Sequence, residues 1–264
     1  MSKKLGLCLG SGGARGIAHI GFLKALEEND IKPDCVTGCS MGAIVGALYC
    51  AGITPARMEE QAYKLRVSRI AALNVAPIHA NGLFQFTKAR KLMTDLMGDI
   101  TFKELTIPFA CVATDLLNGK TVRFFKGSVV DAALASSAIP GIFSPVEIGG
   151  LKFVDGGVLE RVPTQPLRKM GADVVVAVDV LGDLTVKKTS NTLVDTVLRC
   201  IDIMDTRATQ HKKKLRMRSV DLWLEPELGG MDQYKVKKAQ MQIAYHKGYE
   251  LGKANAKKIK ALIE

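Results

Sequence analysis

Twice within its first 51 residues the chain sets a short apolar run against glycine and then opens a helical period. Lys4-Leu5-Gly6-Leu7-Cys8-Leu9 has the length and composition of a buried strand, and a glycine-rich stretch from Gly10 to Gly16 closes it. Ile17, Ile20, Leu23 and Leu26 then recur at the spacing of one helix face, which predicts a helix within residues 14–29. The unit repeats at once. Asp34-Cys35-Val36-Thr37 reads as a second strand, and residues 41–51 run without a breaker until Gly52, as a buried helix does. Successive strand, loop and helix units favour parallel pairing with right-handed crossovers, and so a sheet with helices on its faces.

The rest of the chain extends that pattern. Thr54-Pro55 has the form of an N-cap followed by proline at the first helical position. Residues 67–86 show no clean period and are expected to form an irregular, lid-like excursion. Strands are expected over residues 108–114 and 121–125, and Asp173-Val174-Val175-Val176-Ala177-Val178 has the unbroken apolar character of a central parallel strand. The predicted class is α/β: three layers, α/β/α, around a mostly parallel central sheet.

Composition narrows the setting. With 264 residues, 47% of them hydrophobic and 24% charged, the chain can bury a sizeable core. No run reaches the roughly 18 apolar residues of a membrane span, and the first residues lead straight into a strand; no span and no export signal are expected. Cys8, Cys35, Cys39, Cys50, Cys111 and Cys200 lack the close pairing of zinc or disulfide frameworks, so reduced, buried thiols and a cytoplasmic location are expected. A net charge of +11 implies an anionic partner, either nucleic acid or a membrane surface. The late basic segments do not interleave aromatic residues as a base-stacking platform would, which argues against nucleic acid.

Three short segments carry chemistry. Gly38-Cys39-Ser40-Met41-Gly42 is a G-x-S-x-G sequence that follows a predicted strand and opens a predicted helix. A nucleophile on so sharp a turn needs small neighbours two positions to either side, which Gly38 and Gly42 supply, and the helix N-terminus favours developing negative charge. A glycine turn with a serine N-cap gives the same five letters. Gly10-Ser11-Gly12-Gly13-Ala14-Arg15-Gly16 can aim successive backbone N–H groups at a phosphate or an oxyanion. The dinucleotide fingerprint G-x-G-x-x-G fails in register, since the sixth position counted from Gly10 is Arg15. Asp155-Gly156-Gly157 ends a predicted strand; alone, it also suits an ordinary turn.

In this order, and with Ala135-Ser136-Ser137-Ala138-Ile139-Pro140-Gly141 ahead of the aspartate, the segments resemble the bacterial patatin-like phospholipases over roughly residues 4–180. Ser11 departs from the pattern where many members have the first glycine of the loop, a change that keeps a backbone N–H available. The resemblance implies residues 4–180 as the catalytic domain, with residues 181–264 as a helical and strand segment packed on it. It implies a Ser40–Asp155 dyad without histidine, an oxyanion hole built from Gly12 and Gly13 with Arg15 in support, a lipid or acyl ester substrate, and neither cofactor nor metal. A weakly active or non-enzymatic lipid-binding regulator on the same fold is the alternative. A serine, acid and histidine triad would need His211 or His246, and both lie in strongly charged surroundings.

The last stretch, residues 234–264, is rich in lysine and threaded by Met241, Ala244, Tyr245, Leu251, Ile259 and Leu262. Two readings stand: an amphipathic helix in peripheral contact with an anionic membrane surface at the inner face, or a helix packed on the sheet by its apolar stripe.

Overall fold

The computed structural model describes residues 2–64, 72–73, 84–183, 192–216, 219–234 and 237–264. The chain alternates from its start through β1 (Leu5–Leu9), α1 (Ile17–Glu27), β2 (Cys35–Gly38), α2 (Met41–Cys50) and α3 (Pro55–Lys64). A short antiparallel pair, β3 (Ala72–Leu73) with β4 (Phe84–Gln85), leads to α4 (Thr87–Met97), β5 (Phe109–Asp115) and β6 (Lys120–Phe124). Next come α5 (Val129–Ser136), β7 (Val146–Ile148), β8 (Leu151–Asp155), α6 (Gly157–Glu160) and α7 (Gln165–Lys169). The chain ends with β9 (Val174–Val178), α8 (Leu193–Arg216), β10 (Leu222–Leu224) and α9 (Lys238–Ile263). Most of the expected excursion at 67–86 lies outside the described residues.

The sheet runs β10-β9-β1-β2-β5-β8-β7, with β6 also on β5. It is parallel from β10 to β5 and antiparallel where β5 meets β6 and β8 and where β8 meets β7. The period-two alternation of buried strands explains the three layers. Leu5, Leu7 and Leu9 join the core under α1 and α2, while Cys8, Val175 and Ala177 face the opposite way onto Leu167 of α7.

The C-terminal helix α9 lies on α1 and buries Met241, Ala244, Tyr245 and Ile259, with Leu251 and Leu262 packed against the same core. That stripe is therefore used in packing on the fold. Five cysteines are buried as expected; Cys200 is the exception, exposed on the outward side of α8. Among the described residues no helix is long and apolar enough to cross a membrane.

One strand does the positioning. β5 pairs β2 through its first half, with Cys111 opposite Gly38, and β8 through its second half, with Ala113 opposite Asp155. Because β6 covers the other edge of β5 from Cys111 to Asp115, β2 and β8 share one edge and meet end to end. Ser40, two residues past the end of β2, and Asp155, the last residue of β8, are thereby brought together above the sheet.

Candidate active site

At that point the chain leaves β2 and enters α2 within two residues. Ser40 takes φ 54° and ψ −124°, a left-handed conformation that costs a non-glycine residue about 1–3 kcal/mol. The turn closes only because its flanks are glycine: a Cβ on Gly38 would lie 2.5 Å from the Gly42 carbonyl oxygen, and one on Gly42 would run into the Leu9 carbonyl. Ser136, at the end of α5, holds the strained residue in place. Its hydroxyl accepts the Ser40 N–H at 2.9 Å and donates to the Val112 carbonyl at 2.6 Å.

The Ser40 hydroxyl donates to Asp155 Oδ2 at 2.5 Å, and both side chains are buried. Asp155 ends β8. Its other oxygen, Oδ1, accepts the Gly157 N–H at 2.7 Å and faces the Cys39 thiol at 3.8 Å. Burial pushes the Asp155 carboxyl up to about 6, although the Ser40 and Gly157 hydrogen bonds pull the other way.

The glycine loop crosses in front of this pair. Gly10 N–H donates to Val178 and Ser11 N–H to Arg161, while Ala14 N–H donates to Gln233. Between these anchors the N–H groups of Gly12 and Gly13 take no hydrogen-bond partner among the described residues. Gly13 has φ 49°, and a Cβ there would run into the Gln233 carbonyl oxygen. Arg15, expected in support of this loop or of the developing charge, is turned to carbonyls of the fold. Its buried guanidinium donates twice to the Met231 carbonyl, at 2.6 and 2.9 Å, and once to Leu181 at 3.1 Å. Those bonds tie the loop to the segment ahead of α9 and leave the guanidinium turned to carbonyls instead of toward a developing charge.

A small cleft opens over Ser40 and Asp155, lined by Gly13, Ile139, Val158, Ile201 and Tyr234 among others. His19 reaches the loop only from behind: Nε2 lies 2.8 Å from the Gly10 carbonyl, and complete burial lowers the ring to about 4, so it is neutral. His211 and His246 are exposed, and His79 lies outside the described residues.

A sequence model of patatin-like phospholipases matches residues 7–168, a span that holds the glycine loop, Ser40 and Asp155. The chain belongs to the patatin-like phospholipase family. An uncharacterized NTE family protein of Mycobacterium tuberculosis is 40% identical over 184 residues, 69% of this chain and 50% of that one. Neuropathy target esterase of Drosophila melanogaster is 32% identical over 191 residues, 67% of this chain and 13% of that one. A lysophospholipase of Aspergillus fumigatus is 30% identical over 181 residues, 67% and 12% respectively. The chain thus spans about half or less of the length of these relatives. VipD of Legionella pneumophila shares the patatin fold, with a TM-score of 0.65 over 97% of this chain and 67% of that one at 13% identity. The type III effector ExoU does so with a TM-score of 0.53, over 98% and 54%, also at 13% identity.

Beyond residue 168 the site of this patatin-like chain has parts that sequence reasoning missed. Asp202 and Asp205 of α8 both line the cleft. Asp202 accepts the Tyr234 hydroxyl and the Gln233 amide, each at 2.5 Å, and Asp205 pairs with buried Arg161 at 3.0 Å. Arg161 also holds Asp179 at 2.8 Å. The available signal was a run of polar residues at helical spacing, Asp202, Asp205, Thr206 and Thr209, in a helix whose other positions are largely apolar or basic.

Proposed function

We propose that this chain is a serine acyl hydrolase that cleaves ester-linked fatty acyl groups of lipids. Ser40 is the nucleophile and Asp155 its base. The observation that carries this reading is the direct 2.5 Å hydrogen bond from Ser40, buried on a strained strand-to-helix turn, to buried Asp155 at the end of β8, with no histidine interposed among the described residues. Lysophospholipids, phospholipids and simpler carboxyl esters are the substrate class, supported by family membership and by relatives named lysophospholipase and esterase. Residues 4–180 supply the reacting groups, and residues 181–264 act as a supporting segment on the same unit.

A carboxylate is a weak base toward an alcohol because their ordinary pKa values lie many units apart. Burial narrows that gap by raising Asp155, and the α2 N-terminus with the Gly12 and Gly13 amides favours the oxyanion. In the first half-reaction Ser40 Oγ bonds to the acyl carbon while its proton passes to Asp155. The acyl C–O bond then breaks, and the departing alcohol takes that proton. In the second, a water gives a proton to Asp155 and attacks the acyl-enzyme; Ser40 leaves with the proton and the fatty acid is released.

A fluorophosphonate probe tests the reading directly. Wild type should label and Ser40→Ala should not, and wild type should hydrolyse p-nitrophenyl esters or lysophospholipids in a substrate screen. Folded wild-type protein that neither labels nor turns over any of these esters would instead be a lipid-binding module.

A further inference from the structure

Helix α8 is built inside out. Among its described side chains, those it buries are Leu198, Asp202, Asp205, Thr206 and Thr209, four of them polar. Val197, Ile201, Met204, Ala208 and Leu215 recur at i, i+4, i+7, i+11 and i+18 and form a single stripe on the helix. Met204 is 71% and Leu215 70% exposed; Val197 and Ile203, beside them, are exposed as well. A helix in water normally turns such a stripe toward the core, so its outward position calls for an apolar phase or partner.

Two further observations say which. The stripe runs into the cleft, because Ile201 lines it, as does Val158 of α6, which packs on α8. The exposed positions also include Arg207, His211 and Lys214, whereas Asp202 and Asp205 point inward. An apolar stripe flanked by basic residues, with Asp202 and Asp205 turned inward, suits the boundary of an anionic lipid surface. We infer that the outer face of α8, centred on Val197, Met204 and Leu215, docks the protein on anionic lipid surfaces and sets the mouth of the Ser40 cleft against them. The inference rests on the acyl hydrolase reading for what the cleft then does, but the docking is separable from turnover. It also moves the membrane contact from α9, whose apolar stripe is buried on α1, to α8.

The test uses the full chain as Ser40→Ala, so that no lipid is consumed, with and without the added pair Val197→Glu and Met204→Glu. Both positions are exposed, and circular dichroism checks that the variants fold. Co-sedimentation is measured with vesicles of phosphatidylcholine alone and of phosphatidylcholine with phosphatidylglycerol. Binding to the anionic vesicles should fall about tenfold or more with the glutamate pair, and less protein should bind neutral vesicles throughout. In the Ser40 background, the pair should slow hydrolysis of vesicle-embedded phospholipid while leaving a water-soluble short-chain ester unaffected. Unchanged vesicle binding by the variant, or none by the parent, overturns the inference. So does a dimer that the pair disperses without altering vesicle binding, since the face would then cover a second copy. Vesicle binding that depends on α8 in a protein without esterase activity would leave the docking intact and sink only the hydrolase reading.

Discussion

Ser40 Oγ and Asp155 Oδ2 stand 2.5 Å apart although 115 residues separate them in the chain. Their meeting follows from β5, which pairs the end of β2 at Cys111 and the end of β8 at Ala113 along the same edge. The sheet beneath thus positions the pair, and its chemistry is open to direct tests.

The first concerns pH. The proposed mechanism uses Asp155 in its ionised form, and burial raises its carboxyl to about 6. kcat/KM toward a soluble ester should be flat above about pH 7 and fall about tenfold per pH unit below about 6. A rate profile from pH 4.5 to 8.5 reads this. A plateau reaching unbroken to pH 4.5 would mean that a different group titrates, or that no base of this kind is used.

Stability should move in the opposite sense. A carboxyl raised from 3.8 to about 6 keeps its proton in the folded protein where the unfolded chain has lost it. The stability that this gives is present at low pH and is lost as pH rises from about 4 through about 6, a difference of about 3 kcal/mol for the ionised form. Asp155→Asn should thus abolish turnover, by about 10³-fold or more, yet raise the melting temperature at pH 7.5. Melts at pH 5 should show a smaller gain. Equal gains at both pH values would count against a strained, ionised Asp155.

Gly13 is the loop residue most sensitive to a side chain. Its φ of 49° and the Gln233 carbonyl in the place of a Cβ leave Gly13→Ala no way to keep the loop as it is. kcat should fall about 10²-fold, the effect of losing an oxyanion donor, with little change in global stability by circular dichroism. Wild-type kcat would move the oxyanion site away from this loop.

Ser136→Ala should weaken both stability and rate. The substitution leaves the Ser40 N–H and the Val112 carbonyl buried without their partner, at about 1–3 kcal/mol each. A lower melting temperature, and kcat down about tenfold at nearly constant KM, would show that the serine holds the elbow. If denaturant melts and rates both match wild type, the elbow is held by its glycines alone.

The sequence by itself determined what depends on near neighbours. The strand-to-helix turn at Ser40 was legible because only glycine tolerates the close approaches at 38 and 42, and the α/β class because strand and helix periods alternate at short range. The parallel β9 was legible because a strand buried on both faces must be apolar throughout. Tertiary structure decided what depends on register and on contacts between distant segments. Nothing near Asp155 in the chain tells that β8 continues the edge of β5 that β2 begins. Arg15 reads as a cation beside an oxyanion loop, and only the packing of residues 228–234 shows its donors held by Met231 and Leu181. In α9 the periodicity marked an apolar face, but neither there nor in α8 did it carry information about which way each face would turn. α1 covers the face of α9, while the buried Arg161 and the Tyr234 hydroxyl draw the acids of α8 inward and leave its apolar stripe outside.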